Sequence, residues 1–259
     1  MAAILECVEV TKAYGGLLAV KGLSFSAEQG EVFAIVGPNG AGKTTLFDAI
    51  SGISPATRGV IRFDGQEIQR LGPDRICRQG IARTFQTTVS FDTQTVLNNV
   101  LVGSIFGAQG RGNPTLRFRP QALEAALDAL EFCGLLDKQS WAPSLLSVFE
   151  RKRLMFATAL ATRPKLLLLD EPVGGLTRAE RDEIVLLVQK INRAGISVLL
   201  IEHVMKAVQA LASRMLVLHH GEKIVEGPPS EVLRDKRVVE VYLGGQGSKL
   251  IAPQAEGVS

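Results

Sequence analysis

Gly37-Pro38-Asn39-Gly40-Ala41-Gly42-Lys43-Thr44 follows the spacing G-x-x-x-x-G-K-[ST], a pattern suited to gripping a nucleoside triphosphate. In such a loop the backbone N–H groups converge on phosphate oxygens. The lysine reaches the β and γ oxygens, and the following hydroxyl holds Mg2+. Glycine is needed where backbone must approach phosphate without a Cβ, and where φ is positive. Gly37, Pro38, Asn39, Gly40, Ala41, Gly42, Lys43, Thr44 and Thr45 are therefore expected to contact nucleotide, with Lys43 assisting the chemistry and Thr44 on the metal.

Further along, Leu166-Leu167-Leu168-Leu169-Asp170-Glu171 is an apolar run that ends in two acids. An aspartate at the tip of such a strand can share Mg2+ with Thr44, and the next carboxylate, Glu171, can take a proton from an attacking water. Ser197-Val198-Leu199-Leu200-Ile201-Glu202-His203 repeats the design, with an imidazole placed to sense the γ-phosphate. Gln86 ends a strand-like run and is a candidate contact to metal or water. Tyr14 is a candidate to stack on the base. His219 and His220 are read as part of a hairpin turn.

The elements that must position these groups are legible in outline. Residues 31–36 read as a buried strand feeding the loop, and 45–51 as the helix behind it, whose N-terminus favours an anion. Residues 4–35 alternate apolar and polar with turns at Gly15-Gly16 and Gln29-Gly30, implying an antiparallel β layer. Residues 60–65 and 81–86 read as short strands. Residues 121–133 carry apolar side chains at helical spacing up to Gly134, and the Gly- and Pro-containing stretch 103–120 reads as a loop. Strands at 165–169 and 197–201 flank a helix at 178–192, and such alternation argues a parallel sheet. Residues 216–225 read as a hairpin, and the tail 244–259 as poorly ordered.

The 259 residues carry 46% hydrophobic and 21% charged side chains, which describes a folded α/β chain with an ample core. A net charge of +3 is too small to argue for nucleic acid. The basic groups Arg117/Arg119 and Arg151-Lys152-Arg153 are read as solvated faces. Cys7, Cys77 and Cys133 lack metal or disulfide spacing and fit buried thiols in a reducing compartment. The N-terminus lacks the pattern of a signal peptide, and no run of 18 apolar residues occurs, so action at a membrane requires a partner.

Tyr14, the loop 37–44, Gln86, Leu146-Ser147, Asp170-Glu171 and His203 stand in an order that resembles the ATP-binding cassette of ABC transporters, over residues 4–243. Gly80-Ile81-Ala82-Arg83-Thr84-Phe85-Gln86, Ile201-Glu202-His203 and Val241-Tyr242-Leu243-Gly244 resemble, more narrowly, the cassette of branched-chain amino acid importers; urea and amide importers share these motifs. The resemblance implies an α/β P-loop NTPase (RecA-like) core with an antiparallel β layer, about 1–94 and 163–243, and a helical subdomain at about 95–162. It implies ATP and Mg2+, with Tyr14 on adenine, Lys43 on phosphate, and Thr44 and Asp170 on the metal. Gln86 becomes the coupling glutamine with a metal or water contact, Glu171 the base and His203 the γ-phosphate switch. Its implied partners are a second cassette, membrane permease subunits and, indirectly, a periplasmic binding protein. The implied place is the cytoplasmic face of the membrane, through the permease.

One motif departs from that family. L-S-G-G-Q is here Leu146-Ser147-Val148-Phe149-Glu150. Val148 and Phe149 put side chains where bare backbone should meet phosphate. Glu150 adds like charge, and two unit charges 4 Å apart cost about 4 kcal/mol at an effective dielectric near 20. The same residues fit a capping box, Ser147-x-x-Glu150, at the start of an amphipathic helix. Thr177 after Gly175-Leu176, and Val204 after His203, are further departures at expected subunit contacts. The expectation is a hydrolytic subunit beside a different cassette with an intact motif; the alternative is a regulatory cassette that binds ATP and scarcely hydrolyses it.

Overall fold

The structure, a computed structural model, describes residues 2–85, 90–107 and 120–243. Gln86, Arg117, Arg119 and the tail 244–259 lie outside the described residues.

Two sheets organise these residues. β1 (Ala3–Tyr14) and β2 (Leu17–Glu28) pair antiparallel, and β4 (Arg58–Phe63) and β5 (Gln66–Glu67) continue that sheet in the order β2-β1-β4-β5. The second sheet has the order β10-β9-β3-β8-β7-β6, with β3 (Val32–Val36), β6 (Ile81–Arg83), β7 (Leu166–Asp170), β8 (Ser197–Ile201), β9 (Arg214–His219) and β10 (Glu222–Gly227). All its pairings are parallel except β9 with β10.

Every residue of β3, β7 and β8 is buried. The reason lies in the pleat, which sends successive side chains to opposite faces. Phe33, Ile35, Leu166, Leu168, Leu199 and Ile201 face a core shared with the antiparallel layer and α1 (Lys43–Ile50). Val32, Ala34, Val36, Leu167, Leu169, Val198 and Leu200 face a second core built with helices. A strand covered on both sides needs apolar residues on both faces, so apart from Asp170 and Ser197 at the strand ends these sequences read as runs with no alternation.

The other helices are α2 (Pro73–Gln79), α3 (Val96–Phe106), α4 (Pro120–Phe132), α5 (Val148–Ala161), α6 (Arg178–Arg193), α7 (Met205–Leu211), α8 (Pro229–Val232) and α9 (Lys236–Leu243). α3, α4 and α5 pack on one another. Gly103 lets α3 and α5 approach: a Cβ there would stand 2.2 Å from the Thr158 carbonyl oxygen. This corrects the loop expected from residue 103 onward. Gly103 is interior to α3, where a small residue at a close crossing outweighs its poor helix propensity. The strand expected over 81–86 stops at Arg83. Cys7 and Cys133 are buried and Cys77 half-buried, all as free thiols. Burial holds the Cys133 thiol up at about 12.

Strand register levels the chemistry. Ile201 pairs with Ile35 on one side and with Asp170 on the other. The residues that follow β3, β7 and β8 therefore emerge together at one sheet edge, where ligands of open α/β sheets bind.

Candidate nucleotide site

The loop after β3 is shaped partly by the protein and partly for something else. Gly37 (φ +153°) and Gly42 (φ +103°) are demanded by neighbours, because a Cβ would stand 2.0 Å from the Leu218 carbonyl oxygen and 2.3 Å from that of Ala19, respectively. Gly40 has φ +78° and open space beyond it. Among the described residues nothing lies within 4 Å of a Cβ built there, as expected of a cradle for a ligand. The hairpin β9–β10 braces the loop through the Gly221 N–H donating to the Ala41 carbonyl (2.9 Å). The Tyr242 hydroxyl meets the Gly37 backbone, and burial raises its pKa to about 12.

Lys43 is buried and folds back so that its ammonium donates to the Gly37 (2.7 Å) and Pro38 (2.9 Å) carbonyls. Burial pulls its pKa down; Glu171 and Asp170 pull it back up. A desolvated ammonium whose hydrogen bonds go to neutral carbonyls suits a phosphate. Tyr14, residues 39–45 and Glu171 line a cleft of about 880 Å3, together with Leu17 and His220. The half-exposed Tyr14 ring carries the Lys12 ammonium at 4.9 Å, and its hydroxyl lies 3.2 Å from Ser54 Oγ. The donor set therefore fits a nucleotide, and the Thr44 hydroxyl with the Asp170 carboxylate offers the oxygen ligands Mg2+ prefers.

Asp170 and His203 flank the cleft rather than line it. Asp170 is buried, which raises its pKa; Arg83 works against that shift, with Nη2 at 3.3 Å from Oδ2. Arg83 also reaches Asp48 (2.6 Å) and Ser51 Oγ (3.1 Å), so its fork ties β6 and β7 to α1. His203 Nδ1 is 3.6 Å from Glu171 Oε2. Glu171 has φ +49°, an uncommon conformation for a side chain of that size and typical of strained functional positions. The structure thus brings together Tyr14, the loop, Asp170, Glu171 and His203.

The sequence missed several contributors. Arg83 was passed over inside a strand-like run, although a charge between Ala82 and Thr84 in an apolar stretch is itself a signal. Lys152, expected on a solvated face, is buried, with its ammonium 3.3 Å from the Glu171 carbonyl oxygen. The tally of basic residues could not reveal that one of three faces inward. Glu202 is fully buried, and His220 lines the cleft instead of serving only the turn.

At Ser147 the capping box is complete. Ser147 Oγ accepts from the Glu150 N–H (3.2 Å) and a Glu150 carboxylate oxygen accepts from the Ser147 N–H (2.9 Å). Lys138 pairs with the other Glu150 oxygen, and these contacts lower the Glu150 pKa, the Lys138 hydrogen bond most. Val148 is exposed at the first turn, and Phe149 lies under the Arg153 guanidinium (4.3 Å).

Comparison with known proteins places this arrangement. Residues 20–174 match the ABC transporter family model, and residues 222–247 match a model described as branched-chain amino acid ATP-binding cassette transporter. The chain is 36% identical over 249 residues to the high-affinity branched-chain amino acid transport ATP-binding protein BraF of Pseudomonas aeruginosa, covering 93% of this chain and 98% of BraF. The ADP conformation of MJ1267, an ATP-binding cassette of an ABC transporter, superposes with a TM-score of 0.86 at 32% identity, over 94% of this chain and 100% of that one. A dimeric post-hydrolysis state of the cassette MJ0796 with ADP and Pi gives 0.76 at 26% identity, over 87% and 98%. The chain belongs to the ATP-binding cassette family of ABC transporters and is a nucleotide-binding ATPase.

Proposed function

We propose that this chain is the ATP-hydrolysing subunit of a branched-chain amino acid importer, paired with a different cassette that supplies the working signature motif. The observation that carries the pairing is an asymmetry. Lys43, Asp170, Glu171 and His203 gather at one sheet edge, while the N-terminus of α5 is occupied by its own Ser147–Glu150 box and the Lys138 pair. A helix start whose first-turn carboxylate is internally bonded is poorly suited to a second chain's phosphate.

In this reading Tyr14 stacks on adenine, residues 37–45 wrap the phosphates, and Lys43 turns from its loop carbonyls to the β and γ oxygens. Thr44 and Asp170 hold Mg2+, which neutralises charge on the terminal phosphates when bound. Glu171 takes the proton of the attacking water, and His203 orients that water and senses the γ-phosphate. Gln86 couples this site to the permease and contacts metal or water. The branched-chain assignment is supported by the name of BraF and by the family model matched at residues 222–247. No helix among the described residues is long and apolar enough to cross a membrane. We therefore assign attachment at the cytoplasmic face to the permease subunits, with a periplasmic binding protein acting indirectly. An apolar groove of about 390 Å3, rimmed by exposed Phe85, Phe91 and Phe106 beside Gly103 and Met155, fits a permease helix.

The test is ATPase turnover of the chain alone and with its permease and partner cassette. Hydrolysis that needs the partner and is lost in Glu171→Gln, with nucleotide affinity unchanged, is expected. Vigorous turnover by the chain alone as a homodimer would refute the pairing.

A further inference from the structure

Glu202 has no role in the scheme above, yet it is the most completely buried carboxylate beside the site. Its side chain is 0% exposed. A carboxylate removed from water is costly unless its lone pairs and charge are met. Three backbone groups meet the lone pairs. Oε1 accepts from the Val173 N–H (3.1 Å), and Oε2 accepts from the N–H groups of His203 (2.8 Å) and Val204 (2.9 Å). Val173 is two residues past Glu171; His203 and Val204 begin the next loop. One side chain therefore bonds the backbones of both loops that carry the reacting side chains.

The charge is met from a third element. Lys152, in the second turn of α5, is 5% exposed; burial lowers its pKa, and the charges of Glu202 and Glu171 act against that shift. Its ammonium donates to the Glu171 carbonyl, which also accepts from the Gly174 N–H (3.1 Å). The Glu171 N–H in turn donates to the Ile201 carbonyl (2.9 Å), immediately before Glu202. Glu171 is thus held in its left-handed conformation from both sides, by a strand neighbour and by a lysine of the helix whose start carries Ser147.

We propose that Glu202 is a positioning residue that staples the Glu171 loop to the His203 loop, with Lys152 tethering the pair to α5. A shift of the helical part would then move Glu171 and His203 together. The proposal rests on the roles assigned to Glu171 and His203, but its bonding arm can be judged without hydrolysis.

The experiment is backbone hydrogen exchange on the full chain. In wild type the Val173, His203 and Val204 amides should be protected. In Glu202→Gln, which has one acceptor oxygen for the three donors, at least one loop should exchange about tenfold faster, the scale of one lost hydrogen bond. ADP affinity should stay unchanged. The double variant Glu202→Gln/Lys152→Met removes both buried charges and should regain thermal stability while the loops stay fast. In the assembled transporter, Glu202→Gln should lower kcat for ATP with KM held. Wild-type-like protection in Glu202→Gln overturns the staple, as does a double variant that restores protection and kcat together, since the pair would then serve only charge balance. If the glutamine variant does not fold, Glu202→Asp keeps the charge and loses the reach. Should neither fold, unprotected amides at these positions in wild type overturn the proposal, and slow exchange there supports it. Loss of ADP binding by wild type would instead strike at the nucleotide-site reading.

Discussion

Replacing Arg83 with methionine is the perturbation whose cost follows most directly from the structure. The Arg83 side chain is 6% exposed, and its guanidinium bridges Asp48 and Asp170, whose side chains are 25% and 7% exposed. It also lies over the rings of Phe47 (5.6 Å) and Phe85 (5.1 Å). Methionine keeps most of the packing and removes the charge. Asp170 is then a buried carboxylate without its counter-ion, and removing one partner of a buried pair costs about 3–5 kcal/mol. Asp48 adds less, because a quarter of it reaches water. In a chain of this size each kcal/mol moves Tm by roughly 2–4 °C, so Arg83→Met should melt on the order of 10 °C lower. Asp48→Asn should cost about 1–2 kcal/mol, since Arg83 keeps its contact with Asp170. Arg83→Met/Asp170→Asn should recover part of the loss, the non-additivity expected of touching residues. Thermal and urea unfolding of the nucleotide-free chain measure all three. An Arg83→Met variant within about 1 kcal/mol of wild type, or an Asp48→Asn variant that costs more than Arg83→Met, would refute the reasoning.

Further expectations concern the loop, the cap and the base. Gly40→Ala, at φ +78° with open space, should cost about 1–2 kcal/mol of stability yet weaken nucleotide binding, whereas Gly42→Ala, 2.3 Å from the Ala19 carbonyl, should damage folding itself; fluorescent-nucleotide titration beside melting curves separates them. The Glu150 pKa lies below its ordinary 4.5, so its stabilising contribution is present above that value and fades as pH falls through the lower folded one. Glutamine can keep the N3 bond of the capping box but loses the Lys138 charge pair, so the gap between wild type and Glu150→Gln, about 0.5–1 kcal/mol near neutral pH, should close in acid. Tyr14→Ala should weaken ATP binding about tenfold and Tyr14→Phe hardly at all, if the ring stacks on adenine.

The sequence by itself determined the phosphate loop, the acids at the end of residues 166–171, His203, the α/β class and the capping box at Ser147. Each is a local matter: a glycine spacing that frees backbone, an apolar run ended by charge, a serine three residues ahead of a glutamate. Local patterns survive in one dimension because their partners are neighbours in the chain. Only the tertiary structure decided that Arg83 bridges Asp48 and Asp170, that Lys152 turns inward from a basic triplet, that Gly103 belongs to a helix crossing and that Glu202 joins two loops. Those contacts span 87 residues for Arg83 with Asp170 and 29 for Val173 with Glu202. No spacing rule encodes them, because burial of a charge is set by which strands and helices meet around it. The chain announces its ligand in one loop, and the fold decides what holds the side chains around that loop in place.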